Sequence, residues 1–226
     1  MLKLATKEQI EFYEKILYPM QDEIFSLLES NKFYLTGGTC LSRFYYEHRY
    51  SDDLDFFFLG HANPKEDFEM EFSLIVKRIQ TKFKTEITIN GEYFKRVMVY
   101  QSEHELKLEF IYDLTPVVGD RIKQKNIFID TKDNIVTNKI TAVQGRKTYK
   151  DYFDLYFLVK EYDLGKVMEW AELKMVPLNY EGMLLVLVDG ELKGDVFMIK
   201  EIDKKDFDNF KNNLTRKLLD HAKTIP

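Results

Sequence analysis

The sequence predicts an α+β fold: a mixed β-sheet flanked by helices over residues 1–130, then a mainly helical part over residues 131–226. Three observations carry this. The first half runs in the order helix, strand, helix, strand, then a meander of three further strands, which places helices on one face of a mixed sheet. An Asn90-Gly91 pair between two alternating runs is a strong hairpin signal. Beyond about Asp130 the apolar residues recur at three- and four-residue steps instead of alternating.

Taken in order, Thr6-Lys7-Glu8-Gln9 fits a capping box. Ile10, Tyr13, Leu17, Met20, Ile24 and Leu27 continue it as one amphipathic helix to about Glu29, with a bend expected at Pro19. Phe33-Tyr34-Leu35 reads as a strand broken at Gly37-Gly38. Leu41, Phe44, Tyr45 and His48 follow at helical spacing, and Asp53 to Leu59 reads as the next strand, its Phe56-Phe57-Phe58-Leu59 run buried on both faces. His61 to Pro64 read as loop, and Phe68, Phe72, Ile75, Val76 and Ile79 mark a second amphipathic helix. The meander is Thr85–Asn90, Phe94–Tyr100 and Leu106–Tyr112, with a turn over Ser102 to Glu105. In the second half Asp133 is the candidate cap of a helix holding Ile135, Val136, Ile140 and Val143. Tyr152, Leu155, Tyr156 and Val159 mark another helix, for which Gly165 is the candidate C-cap. Residues 179–188 read as a short apolar helix or strand, Gly190 to Gly194 as a turn, and Asp203 to Ala222 as a final amphipathic helix.

Composition narrows the class. The chain has 226 residues, 45% hydrophobic and 31% charged, so it is a globular protein able to bury a large core. Its 18 Phe and 14 Tyr predict an aromatic core. A net charge of −5 argues against a surface coated with positive charge for non-specific nucleic-acid binding. Arg121, Lys123 and Lys125 leave room for a local patch, a solvated face being the simpler reading. The lone Cys40 excludes an internal disulfide and reads as a small buried residue. No run is long enough to cross a bilayer and the N-terminus lacks a signal-peptide core, so a cytoplasmic location without a membrane partner is expected.

The chemistry concentrates between Tyr34 and Phe58. Gly37 and Gly38 leave the backbone open to a ligand. Free N–H groups at the start of the helix that follows favour an anion such as phosphate, with Thr39 as N-cap or phosphate contact. For a lone glycine pair an ordinary strand-to-helix turn is the simpler reading. In a strand, Asp53 and Asp55 share one face while Leu54 and Phe56 point to the core. Two carboxylates so placed suit Mg²⁺, which takes one or two carboxylates plus substrate phosphates. In the meander Lys107, Glu109, Ile111 and Asp113 share one parity, and Asp151 and Asp154, three apart, share a helix face.

The string GGTCLSRFYYEHRYSDDLDFF, residues 37–57, resembles the AbiEii-type toxin nucleotidyltransferases, a branch of the DNA polymerase β nucleotidyltransferase superfamily. The resemblance implies a nucleotidyltransferase-like sheet and a site in which Gly37, Gly38, Thr39, Arg49 and Ser51 bind nucleotide phosphates. It also implies a third metal carboxylate on a neighbouring strand, for which Glu109 is the candidate and Asp113 the reserve. The family's helix lysine and R-x-x-x-[RK]-D-x-x-D-L pattern map onto Lys139, Arg146, Lys150, Asp151, Asp154 and Leu155. Lys139 and Asp154 would then be required, Lys139 with Arg49 or Arg146 on the β- and γ-phosphates. Asp154 would act either as general base or as the group orienting Lys139.

The expected activity is a Mg²⁺- (or Mn²⁺-) dependent transfer of a nucleoside monophosphate from an NTP to an acceptor hydroxyl. By resemblance the acceptor is RNA such as tRNA, and the role that of a toxin or abortive-infection protein opposed by an antitoxin. Two rivals stand beside it: a small-molecule, antibiotic-type nucleotidyltransferase, and a catalytically silent binding protein of the same fold. A silent relative would be expected to have lost Asp53, Asp55 or Lys139, and all three are present.

Overall fold

The computed structural model describes residues 1–144, 146–174, 178–189 and 191–223. After a short strand β1 (Leu2–Leu4), Thr6 and Gln9 form the capping box of α1 (Lys7–Phe12). The helical run continues through Pro19 to Leu28. It widens into a π-helical stretch, Tyr13–Leu17, immediately before α2 (Tyr18–Leu28), so that Pro19, which cannot donate, sits in the first turn of a new α-helix. Next come β2 (Phe33–Thr36), the short α3 (Gly37–Leu41) continued by a π-stretch to Tyr46, and β3 (Leu54–Leu59). Helix α4 (Lys65–Gln80) leads to the meander β4 (Lys84–Asn90), β5 (Phe94–Gln101) and β6 (His104–Asp113). Two short strands, β7 (Ile122–Gln124) and β8 (Ile127–Ile129), close the first half. The second holds α5 (Lys132–Ala142), α6 (Tyr149–Leu158), α7 (Leu164–Leu173), α8 (Tyr180–Asp189), β9 (Val196–Met198) and α9 (Lys204–Ala222).

The main sheet is seven-stranded and mixed, in the order β4-β5-β6-β3-β2-β8-β7, with β3–β6 and β2–β8 parallel. Strand parity fixes its two faces. Leu54, Phe56 and Phe58 of β3 and Leu106, Leu108 and Phe110 of β6 are buried, and their rings meet Phe68 and Phe72 of α4 edge-on. The opposite parity, Asp55 and Phe57 of β3 with Lys107, Glu109 and Ile111 of β6, lines a cleft against α5. Phe57 and Leu59 are therefore half-covered, not buried on both faces as the sequence suggested. Nor do the helices lie on one face only, because α5 stands on the opposite side of the sheet from α4. The change from strands to helices comes between the end of β8 and Thr131, the N-cap of α5. The two halves share one hydrophobic core and are tied by the parallel pair β1–β9.

Other expectations are corrected. Thr36, not Thr39, occupies the N-cap position of α3, since Gly37 at φ +72° makes the turn into the helix. Thr131, not Asp133, caps α5, its hydroxyl accepting from the Asn134 N–H. Gly165 lies inside α7, which Asp163 caps. The segment read as residues 179–188 forms the helix Tyr180–Asp189, whereas Gly190 lies outside the described residues. Among the described residues no helix is long and apolar enough to cross a membrane.

Candidate active site

The cleft between the sheet and α5 encloses about 550 Å³, a size that accommodates a nucleotide-scale ligand. Gly37, Gly38, Asp53, Asp55, Glu109, Lys139, Arg146 and Asp151 all line it. The glycines are demanded by their neighbours. A Cβ on Gly37 would lie 2.7 Å from Asp55 Oδ2, and one on Gly38 only 2.1 Å from Arg49 Nη2. The turn is thus bare because a carboxylate and a guanidinium pack against it, and being bare it also leaves the backbone open to the cleft.

The sheet side of the cleft is acidic. Asp55 and Glu109 are register partners on the parallel strands β3 and β6. Burial, then the charges of Glu109 and Asp53, push the Asp55 carboxyl up to about 6. Glu109 differs: burial raises it, but Arg96 and Lys107 outweigh that and hold it below the usual range. Arg96 Nη2 is 2.6 Å from Glu109 Oε1, and Lys107 Nζ bridges Asp53 at 3.0 Å and Glu109 at 3.2 Å. Among the described residues no three His, Cys, Asp or Glu side chains stand ready-made around a metal. The donor set nevertheless fits a hard cation that draws its remaining ligands from phosphate: oxygen only, with Asp55 under electrostatic pressure that a cation would relieve. Asp113, the reserve, is set apart. It lies four residues along β6 from Glu109, and its Oδ1 takes both the N–H and the hydroxyl of Thr115.

The helix side is a closed ion network. Asp154, fully buried on α6, accepts a bidentate pair from Arg49 at 2.7 and 2.9 Å and an ammonium contact from Lys139 at 2.7 Å. His48 Nε2 adds a fourth contact at 2.8 Å. Burial works against the Asp154 charge, but Arg49 and Lys139 outweigh it and hold the carboxyl well below its usual range. Burial keeps His48 below its ordinary value, so the ring is neutral at pH 7 and donates from Nε2. Lys139 also reaches Asp151 at 2.8 Å; burial lowers its proton affinity, yet the two aspartates raise it overall.

This arrangement redistributes the expected phosphate contacts. Arg49, 2% exposed, is committed to Asp154 and lies behind Gly38, outside the cleft lining. Thr39 and Ser51 are buried, the Thr39 hydroxyl turned to Ser51 Oγ and the Asp53 carbonyl, where the two brace the loop that presents the acids. Lys150 pairs with Asp52 at 3.0 Å, and Asp52 also accepts from Tyr13, so this end of α6 is stapled to the N-terminal helix. Arg146 is exposed and carries no ion pair among the described residues. Sequence reasoning passed over Arg96, His48, Asn138 and Lys174. Of these only Arg96 left a signal, as the strand partner of Glu109.

Known proteins share the sequence pattern and the fold. The uncharacterized protein aq_aa25 of Aquifex aeolicus (strain VF5) is 32% identical over 199 residues, covering 83% of this chain and 84% of its own. The crystal structure of JHP933 from Helicobacter pylori superposes with a TM-score of 0.58 at 19% identity, covering 98% of this chain and 97% of that one. MenT4, a nucleotidyltransferase toxin from Mycobacterium tuberculosis H37Rv, gives 0.57 at 14% identity, covering 91% and 83%. With the model of the nucleotidyl transferase AbiEii toxin, type IV TA system, matching residues 21–224, the chain belongs to the AbiEii family of nucleotidyltransferase toxins.

Proposed function

We propose that the cleft binds a nucleoside triphosphate and that the protein transfers its nucleoside monophosphate to a hydroxyl of RNA, with tRNA the first acceptor to test. The observation that carries this is the pairing across one cleft of an under-neutralised acid group, Asp55 with Asp53 and Glu109, and a fixed cation, Lys139. Asp53, Asp55 and Glu109 would hold Mg²⁺, or Mn²⁺ in its place, which when bound supplies positive charge to the phosphates and to the departing pyrophosphate. In the reaction the acceptor hydroxyl oxygen bonds to the α-phosphorus and releases its proton to solvent, the bridging P–O bond to the β-phosphate breaks, and pyrophosphate leaves with that electron pair.

The chain's own groups do the positioning. Gly37 and Gly38 present backbone without side chains to the phosphates. Lys139, held between Asp151 and Asp154, offers an immobilised charge, while Arg146 offers a mobile one. Asp154 is a positioning residue and not a general base, because both its oxygens are taken by cations. A separate antitoxin would restrain the activity in the cell, as the family's membership of toxin–antitoxin systems suggests.

The test is incorporation of label from each α-³²P-labelled NTP into total bacterial RNA with Mg²⁺, beside an Asp55→Ala control. Label in a tRNA-sized band that disappears in the control is the expected result. Label on no RNA with any NTP would sink the RNA acceptor and turn attention to small-molecule hydroxyls.

A further inference from the structure

One end of the cleft holds a buried cation that the transfer chemistry does not use. Lys174, at the C-terminus of α7, is 3% exposed. Its Nζ lies 2.7 Å from Asn134 Oδ1 and 2.7 Å from Asn138 Oδ1, both on α5. Among the described residues no carboxylate pairs with it. Asp113 and Asp130 act on it only at longer range, and burial holds its proton affinity below the ordinary lysine value.

The hydrogen-bond directions here are fixed. Asn134 donates from Nδ2 to Asp130, and its Oδ1 also accepts from the Val118 N–H. Asn138 gives its Oδ1 to Lys174, which leaves its Nδ2 as the remaining donor, buried and without an acceptor. An ammonium has three N–H groups, and two are used. The lining hydroxyls of Thr115 and Thr141 donate to Asp113 and to the Asn138 carbonyl, so neither competes for an incoming acceptor. This end of the cleft therefore offers unused donors.

Its walls are apolar. Phe57 and Ile111 are the next cleft-facing residues along β3 and β6 after Asp55 and Glu109, and Phe94 pairs with Ile111 on the adjacent strand. Ile135, one turn before Asn138 on α5, lines the opposite wall. Two residues of strand span roughly 7 Å, about the distance from a reacting α-phosphate to its base. An apolar slot ending in donors, one rung from the acids, has the character of a nucleobase pocket.

We propose that this slot seats the base of the incoming triphosphate and that Lys174 with Asn138 selects a base with a carbonyl at purine C6 or pyrimidine C4, guanine or uracil, over adenine and cytosine, which carry an amino group there. The inference rests on the reading of the cleft as an NTP site. Guanine O6 and uracil O4 are acceptors, whereas adenine N6 and cytosine N4, at the matching ring positions, are amino donors that would face the ammonium with both sides unpaired. Lys174 and Asn138 are specificity residues and take no part in the bond-making step.

The experiment measures kcat/KM for the four NTPs with one RNA acceptor in the wild type, Lys174→Met and Asn138→Ala. In parallel, calorimetry follows binding of the same nucleotides and of inorganic triphosphate. The wild type is expected to favour GTP or UTP by ~10–100-fold over ATP and CTP. Lys174→Met should bring that ratio towards unity by losing the favoured base alone, with inorganic triphosphate bound as before. Asn138→Ala keeps the lysine and should narrow the ratio less, which preserves the test if the methionine variant does not fold. Equal use of amino and carbonyl bases by the wild type overturns the inference and leaves the transferase reading standing. Loss of inorganic triphosphate binding in Lys174→Met overturns it too, by moving the lysine to the phosphates. If no NTP binds or reacts at all, it is the proposed function that fails, and this inference with it.

Discussion

The two walls of the cleft are built from the same residue types and are electrostatic opposites. On the sheet side, Asp55 sits among acids and is pushed up to about 6. On the helix side, Asp154 is buried more deeply and yet is held well below its usual range, because Arg49, His48 and Lys139 surround it. The contrast teaches that burial alone does not set the behaviour of a carboxylate; whether its charge is met by partners does. Asp154 has its charge met, which suits the positioning role proposed for it. Asp55 is unsatisfied, which a functional group awaiting a cation would be.

The largest test of this contrast removes Asp154. Asp154→Ala leaves Arg49 and Lys139 buried without their shared counter-charge, and should lower stability by about 3–5 kcal/mol, read by denaturant melts. A loss under 1 kcal/mol would mean that the network is not closed as described. Gly38→Ala comes next: its methyl would displace the Arg49 guanidinium, so a loss of roughly 1–3 kcal/mol is expected even without nucleotide. A variant with normal stability and weakened NTP binding would instead give Gly38 a purely ligand-facing role.

Asp55→Asn should act in the opposite sense, abolishing transfer while leaving the metal-free protein as stable as the wild type or more so at pH 7.5. The pH dependence sharpens this. A folded carboxyl at about 6 against an ordinary 3.8 is favoured in its protonated form, so its stabilising contribution is full below the ordinary value and is lost as pH rises through 6. Asp130, which burial also pushes up to about 6, works in the same direction. His48, which burial holds below its ordinary value, works against both as pH falls from 7.5 to 5. The Asp55 share is therefore read as the difference between the wild-type and Asp55→Asn profiles of the metal-free protein: the wild type should gain on the variant as pH falls. Asp154 has the reverse sign: its contribution is present above the ordinary carboxylate value and is lost only in strong acid. Parallel melting-temperature profiles for wild type and Asp55→Asn between pH 7.5 and 5 would contradict the assignment of Asp55. The smallest effect belongs to Lys123→Ala and Lys125→Ala, exposed side chains at the far edge of the sheet, expected within about 0.5 kcal/mol and without change in transfer. A clear loss of RNA labelling would place the acceptor path there.

Much of the sheet side was legible because its signals are local. The glycine pair, the alternation around Asp55 and the shared parity of Lys107 and Glu109 are each written within ten residues. The short strands were not, since three residues such as Leu2–Leu4 or Ile127–Ile129 are too few to show a period. The helix side was legible as a list of residues but not as a network. Arg49 and Asp154 lie 105 positions apart, and nothing near Arg49 says that its guanidinium turns to a distant aspartate and not to a phosphate. Thr39 misled for a related reason: Thr36 and Thr39 both suit a cap, and the left-handed turn at Gly37 decides between them. Lys174 carried no pattern at all, its meaning arising only from two asparagines on another helix.

The parallel pairing of Leu2–Leu4 with Val196–Met198 bears on timing. Closing so long a loop adds little entropy beyond that of a shorter one, so the separation itself is tolerable; what it imposes is sequence in time. As the chain emerges from its N-terminal end, the meander and the acids of β3 can assemble early. The first strand cannot. Nor can the backbone of Arg49 and Tyr50, which bridges Met198 and donates to the Phe197 carbonyl. A ribosome halted short of Val196 would hold a polypeptide with every acid of the cleft and no clasp to lock the loop that carries them.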